Sequence, residues 1–167
     1  ETLSDTDYYK WNVAYNNPNS FPSGRIHDNG YWEAKVSPCT VGVYIGDPSE
    51  CVDLVTGGSW EKGEKVGMFG KYSQHYQSFV PTVTNYMHSL MITIFEVGNP
   101  SNLTATLYEG VGAEAKALAS CVVPAETVKN GEPINKDRPD AGKYVFLDFG
   151  EEITLMTGVT YTLALGQ

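Results

Sequence analysis

Apolar and polar residues alternate with a period of two along most of the chain after residue 86, and helical periodicity is almost absent. In the segment SLMITIFEV, Leu90, Ile92 and Ile94 fall on one face of a predicted strand. The segment LTATLYEG alternates in the same way, and it follows the turn-forming residues GNPSN at 98–102. This pattern is typical of half-buried strands in antiparallel sheets.

The remaining C-terminal segments extend the same pattern. A strand is predicted over 116–123, followed by a polar loop over 125–142 with one helical turn at its start. Three further strands are predicted within 143–150, 151–158 and 159–166, each closed by a glycine. Short strands separated by turn residues at regular intervals indicate an all-β fold, an antiparallel, jelly-roll-like β-sandwich with long decorated loops.

The first 85 residues alternate less clearly and are rich in Tyr, Trp, Asn, Gly and Pro. Residues 16–24 are predicted to form a loop. No linker or block of charge divides the chain, so residues 1–167 are predicted to form a single domain. The predicted strands in this part cover residues 8–15, 30–36, 40–46, 50–55 and 75–80.

Charge and motifs exclude several classes of function. The 11 Lys and Arg against 20 Asp and Glu give a net charge of −9, which disfavours binding to nucleic acid. No apolar run approaches the ~18 residues of a membrane span, so no membrane insertion is expected. No nucleophile elbow, phosphate loop or zinc-protease motif occurs, so we expect no enzymatic activity and assign no catalytic residues.

Two of the three cysteines lie close together in the sequence. Cys39 and Cys51 bracket a short segment that can fold back as a hairpin, which would bring the two thiols together as a disulfide. The alternative is that these two residues and Cys121 are reduced thiols packed as small apolar side chains.

Acidic and amide side chains cluster in loops, where oxygen ligands suit a structural calcium ion. None of the clusters matches an EF-hand, so the alternative is ordinary solvated loops. The candidate metal ligands are Asp47, Glu50, Asp53, Asp137 and Asp140.

Aromatic residues crowd the first third of the chain, where exposed rings can stack on sugar faces and amides can bind hydroxyl groups. Large aromatic residues on strands usually pack in a core, which is the expectation for Trp11 and Trp32. Trp60, among glycines, is expected in an exposed loop. The candidate carbohydrate-binding residues are Trp60, Tyr8, Tyr15, Asn17 and Tyr31.

The order of motifs from residue 77 to 165 resembles a known class of module. QSFVP, GNPSNLTATLYEG and YVFLDFGEEITLMTGVTYTLAL are similar to segments of extracellular jelly-roll modules that are repeated in bacterial surface proteins and attached to polysaccharide-degrading enzymes. The motifs are loose and identify an architecture more than an activity. The resemblance implies an extracellular or cell-surface location.

In that class the closing strand is followed by elements that here stand at the start of the chain, namely DYYKWNVAY, SFPSGRIH, NGYWEAKV and CTVGVYIGD. The chain therefore resembles a circularly displaced module. It is interpreted as a permutant, as one period of a tandem array, or as a subunit whose strands complete a neighbour. In each case residues 1–56 complete a sheet formed by residues 77–165, of this chain or of a neighbouring one. The strand ending at Leu165 and the strand beginning near Tyr8 are then expected in one sandwich.

Two functions follow as hypotheses. The first is a non-catalytic extracellular structural subunit or repeat that self-associates, by strand complementation, into a filament or surface assembly, either as a homo-oligomer or as tandem copies. The alternative is a carbohydrate-binding module accessory to a polysaccharide-degrading enzyme, which would bind polysaccharide through its aromatic loops.

Overall fold

The structure is a computed structural model of the chain. It describes residues 9–11, 23–35, 41–44, 51–55, 68–69, 73–81, 84–138 and 142–167. Within these ranges nearly all regular structure is β, as the sequence predicts. The strands are β1 Tyr9–Trp11, β2 Ser23–His27, β3 Trp32–Lys35, β4 Val41–Tyr44, β5 Cys51–Val55, β6 Met68–Phe69, β7 Ser73–Phe79, β8 Asn85–Val97, β9 Leu103–Glu109, β10 Lys116–Val123, β11 Lys143–Leu155 and β12 Tyr161–Gly166. The helix α1 is a short one, Ala125–Lys129.

Two antiparallel six-stranded sheets pack face to face as a sandwich. In the first, which we call the β8 sheet, β4 and β1 pair with one edge of β8 and β11 pairs with the other. β5 extends the sheet beyond β4, and β6 extends it beyond β1. In the second, the β12 sheet, the order is β10-β9-β12-β7-β2-β3. The predicted antiparallel sandwich is therefore confirmed.

The core lies between the two sheets and follows the predicted alternation. Leu90, Ile92 and Ile94 of β8 are fully buried and face the β12 sheet. That sheet contributes Leu103, Ala105 and Leu107 from β9 and Tyr161, Leu163 and Leu165 from β12. Each large apolar side chain buried in this way stabilises the fold by roughly 1.5–3 kcal/mol.

The strands β1 and β12 contribute to one core, although they lie in different sheets. β1 pairs with β8 and β6, whereas β12 lies between β7 and β9. Tyr9 and Trp11 are fully buried in the same cluster as Leu165, so Trp11 is a core residue as expected. Ser101 joins the two strand ends, because its carbonyl accepts from the Tyr9 hydroxyl at 2.7 Å and its N–H donates to Gln167 Oε1 at 3.0 Å.

The strands from the first third of the chain pair with strands of this same chain. β1 and β4 pair with successive parts of one edge of β8, and β2 pairs with β7. The described strands within residues 1–56 and within residues 77–165 therefore contribute to both sheets of one sandwich.

The prediction of separate strands at 143–150 and 151–158 is wrong, because both segments belong to β11 and pair with β8. Asp148 pairs with Ser89, and the next paired residue, Ile153, lies opposite Met87. The residues between them form a bulge at Gly150, which has a φ of 75° and donates its N–H to Asp148 Oδ1. Glycine at this position therefore bends a continuous strand instead of ending it.

The strands β2 and β6 were not predicted, and β2 overlaps the end of the loop expected at 16–24. β2 has little alternation, and it forms because β7 and β3 pair with it on both edges. Gly24 permits the close approach of β3, because a Cβ at this position would lie 1.9 Å from the Glu33 carbonyl oxygen. Such local sequence resembles a loop, and only the neighbouring strands make it a strand.

The strand over 116–123 and the single helical turn after it are confirmed as β10 and α1. No helix in the described part of the chain is long and apolar enough to cross a membrane.

We predict that Gly24→Ala destabilises the fold by about 1–3 kcal/mol or more, because the added methyl group meets the backbone of β3. Thr154→Ala, at an exposed position of β11, is the matched control and should change the free energy of unfolding by less than about 0.5 kcal/mol. Chemical denaturation of the three proteins measures both values. Equal stability of Gly24→Ala and wild type would contradict the close packing of β2 on β3.

Candidate functional site

Tyr31 is the only predicted carbohydrate-binding residue among the described ones, since Tyr8, Tyr15, Asn17 and Trp60 lie outside the described residues. Tyr31 is 63% exposed at the turn between β2 and β3. Its N–H donates to Asn29 Oδ1 at 3.0 Å, and its ring lies 5.9 Å from that of His27. Gly30, with a φ of 85°, closes this turn. Tyr31 is therefore a single exposed ring at a hairpin tip.

His27 also contacts Glu33 across the β2–β3 hairpin, with 2.8 Å between Nε2 and Oε2. Both side chains are partly exposed, so this pair contributes little to stability. No third His, Cys, Asp or Glu completes a metal-binding group with them among the described residues.

The predicted calcium ligands fall mostly outside the described residues. Asp47, Glu50 and Asp140 lie there, and Asp53 lies on β5, of which the backbone alone is described. Asp137 lies in an exposed turn in which Asn135 Oδ1 accepts from the Asp137 N–H at 2.9 Å. This part of the 125–142 loop is therefore organised by a side chain-to-backbone hydrogen bond. Calcium at Asp137 and at the other acidic residues stays a prediction.

β4 and β5 pair antiparallel, with Cys51 at the start of β5 opposite Tyr44 on β4. Cys39 lies outside the described residues, so the disulfide stays a prediction. Cys121 is a free, half-buried thiol on β10. Burial, with a smaller contribution from the negative charge of Asp148, raises the pKa of this thiol to about 11.

β10 forms one edge of the β12 sheet. It pairs with β9 from Lys116, opposite Glu109, to Val123, opposite Leu103. In the described ranges of the chain no strand pairs with its other edge. Backbone N–H and C=O groups along an edge without a paired strand can pair with another strand, and β11 of the β8 sheet also packs near β10.

The side chains of β10 do not protect this edge. Lys116, at the first position, is its only charged residue, and the strand contains no proline. Val122 is 61% exposed, and Ser120 is also exposed. The pairing of β10 with β9 shifts register between Ala117 and Ala119, so the first part of the strand is irregular. Residues 119–123 pair regularly with β9.

Two other edge strands are protected more fully than residues 119–123 of β10, which lie beyond its lysine and its register shift. β3, at the opposite edge of the same sheet, carries Glu33 and Lys35 within four residues. The start of β11 is covered by residues 132–134, since the Tyr144 N–H donates to the Glu132 carbonyl at 2.9 Å. Its later part contains the bulge and two glutamates. Charges, covering segments and bulges are the usual means by which edge strands avoid pairing.

We predict that Cys121 reacts slowly with iodoacetamide in the folded protein at pH 8. With a thiol pKa of about 11, only about a thousandth of it is thiolate, against about a quarter for an unperturbed cysteine. Peptide mass spectrometry of native and denatured protein measures the labelling rate at this residue. In the matched control, Cys121→Ala with Ser120→Cys, the exposed neighbouring thiol should label rapidly without denaturant. Equal rates at Cys121 with and without denaturant would contradict its burial.

Comparison of the chain with protein-family models, with curated proteins and with solved structures gave no match.

Proposed function

We propose that this protein is a non-catalytic extracellular structural subunit that self-associates by pairing β10 with β10 of a second copy. The observation that supports the proposal is the edge of β10 with which no strand in the described part of the chain pairs, on a strand that has one charged residue among eight. The resemblance to surface-protein modules supports the extracellular setting.

The chemistry of β10 suits antiparallel pairing with itself. In a two-fold contact centred on Ser120, Lys116 of one copy lies opposite Pro124 of the other, just beyond the end of the strand. The two lysines are then at opposite ends of the contact and do not repel each other. Each newly formed backbone hydrogen bond satisfies groups that water otherwise solvates, and exposed Val122 gains a cross-strand neighbour.

A two-fold contact closes on itself and gives a dimer in which two six-stranded sheets become continuous. Tandem copies in one polypeptide can form the same contact. Growth into a filament or surface layer requires a second contact in addition to β10.

We predict that the protein dimerises reversibly and that Val122→Lys raises the dissociation constant about tenfold or more, because it places a charge at the paired edge. Thr127→Lys adds the same charge at an exposed position of α1 and should leave association unchanged. Sedimentation equilibrium over a range of concentrations measures all three constants. A wild type that is monomeric at every concentration, or an equal effect of both lysines, would refute the proposal.

A further inference from the structure

Among the described residues, the outer face of the β12 sheet, on the side away from the core between the sheets, has no charged residue, and the middle of this face, at Ser78, Thr162 and Ala164, is buried. Alternation along each strand assigns residues to this face, because the neighbours of the core residues point the opposite way. This is unusual in a chain with 11 basic and 20 acidic residues. The residues of the outer face are Ala117, Ser120 and Val122 of β10, Thr104, Thr106 and Tyr108 of β9, Thr162, Ala164 and Gly166 of β12, Gln74, Tyr76 and Ser78 of β7, Gly24 and Ile26 of β2, and Trp32 and Ala34 of β3.

Three aromatic rings meet on this face, although they come from distant parts of the chain. The Trp32 ring lies 4.8 Å from that of Tyr76 and 5.4 Å from that of Tyr108. Below them Ile26 and Ala164 are buried. Trp32 and Tyr108 are half-buried, so part of the surface of these two rings faces solvent. Trp32 therefore packs, as expected, but against this second cluster and not in the core between the sheets.

Polar side chains border the rings. Gln74 and Thr104 lie on either side of Gly166, where a Cβ would be 3.0 Å from Gln74 Cγ and 3.1 Å from Thr104 Oγ1. Thr106 is the neighbour of Ala164 on the next strand. The amide of Gln74 and the hydroxyls of the two threonines are partly exposed, so they are available to donate and accept hydrogen bonds.

We propose that the outer face of the β12 sheet binds a neutral polysaccharide chain, with Trp32 and Tyr108 stacking on sugar rings and Gln74, Thr104 and Thr106 bonding to hydroxyl groups. Sugars combine apolar C–H faces with many hydroxyl groups, and sites that combine aromatic rings with a few fixed polar groups match both. This binding site is independent of the free edge of β10 that supports self-association.

The charge of the face determines the class of glycan. An anionic polysaccharide needs Lys or Arg for its carboxylate or sulfate groups, and the described strands place neither on the outer face. The net charge of −9 also repels such a polymer at long range. An uncharged chain meets no such cost.

A protein partner fits this face less well. Protein interfaces have a core of contiguous exposed apolar surface. On the outer face only Val122, at the β10 edge, is a large exposed apolar residue among those described. Half-buried rings beside hydroxyl and amide groups match a sugar chain better.

The test is affinity electrophoresis in gels that contain xylan, mixed-linkage β-glucan or galactomannan as neutral probes, or polygalacturonate or alginate as anionic ones. We expect retardation by at least one neutral probe and by neither anionic one. Tyr108→Ala should weaken that affinity about tenfold or more, as removal of a central aromatic contact typically does. Tyr86→Ala, at a 60% exposed position of the β8 sheet, is the matched control and should leave retardation unchanged.

Gln74→Ala is a second variant, and it should not affect folding because Gln74 lies outside the ring cluster. It should also weaken retardation by the neutral probe. Absence of retardation by every neutral probe, stronger retardation by the anionic ones, or equal loss with Tyr86→Ala would overturn the proposal. A change in sedimentation with Tyr108→Ala and none in retardation would identify the face as a protein contact and overturn it as well.

Discussion

The fold depends on the burial of one strand, β8, from which the first sheet is built outward. Its inner side chains Leu90, Ile92 and Ile94 have no exposed surface. One of its edges pairs with β11 and the other with β4 and β1 in succession. Because strands from both ends of the sequence pair with it, β8 joins the first third of the chain to the last.

The elements that could be predicted from the sequence are those for which the local pattern of apolar and polar residues is enough to define a strand or a helix. β9 alternates Leu103, Ala105 and Leu107 with threonines and tyrosine, and the structure buries the first set as the pattern predicts. β10 and α1 have the predicted positions. In these segments local preference and tertiary packing agree.

The elements that could not be predicted depend on neighbours distant in sequence. β2 is a strand because β3 and β7 pair with it, and β11 continues through Gly150 because β8 supports both of its halves. Alternation also tells which residues share a face without telling whether that face is inner or outer. Trp11 and Trp32 both fit a strand pattern, yet the first lies in the core and the second on the outer face.

The same limit applies to the candidate sites. β10 could be predicted as a strand, but its place at the edge of a sheet is a property of strand order. The grouping of Trp32, Tyr76 and Tyr108 likewise depends on which strands are neighbours, because the three lie on separate strands of one sheet. The sequence pattern points to aromatic residues of the first third of the chain, such as Tyr31, and contains no signal for rings that meet across a sheet.

Hydrogen exchange measured at low and high protein concentration shows whether β10 pairs with a second copy. Amides of residues 119–123 that point away from β9 should exchange rapidly in dilute protein and become protected as the concentration rises. The exposed amides at the β2–β3 turn, in residues 28–30, should not change. Exchange along β10 that is independent of concentration would contradict the account.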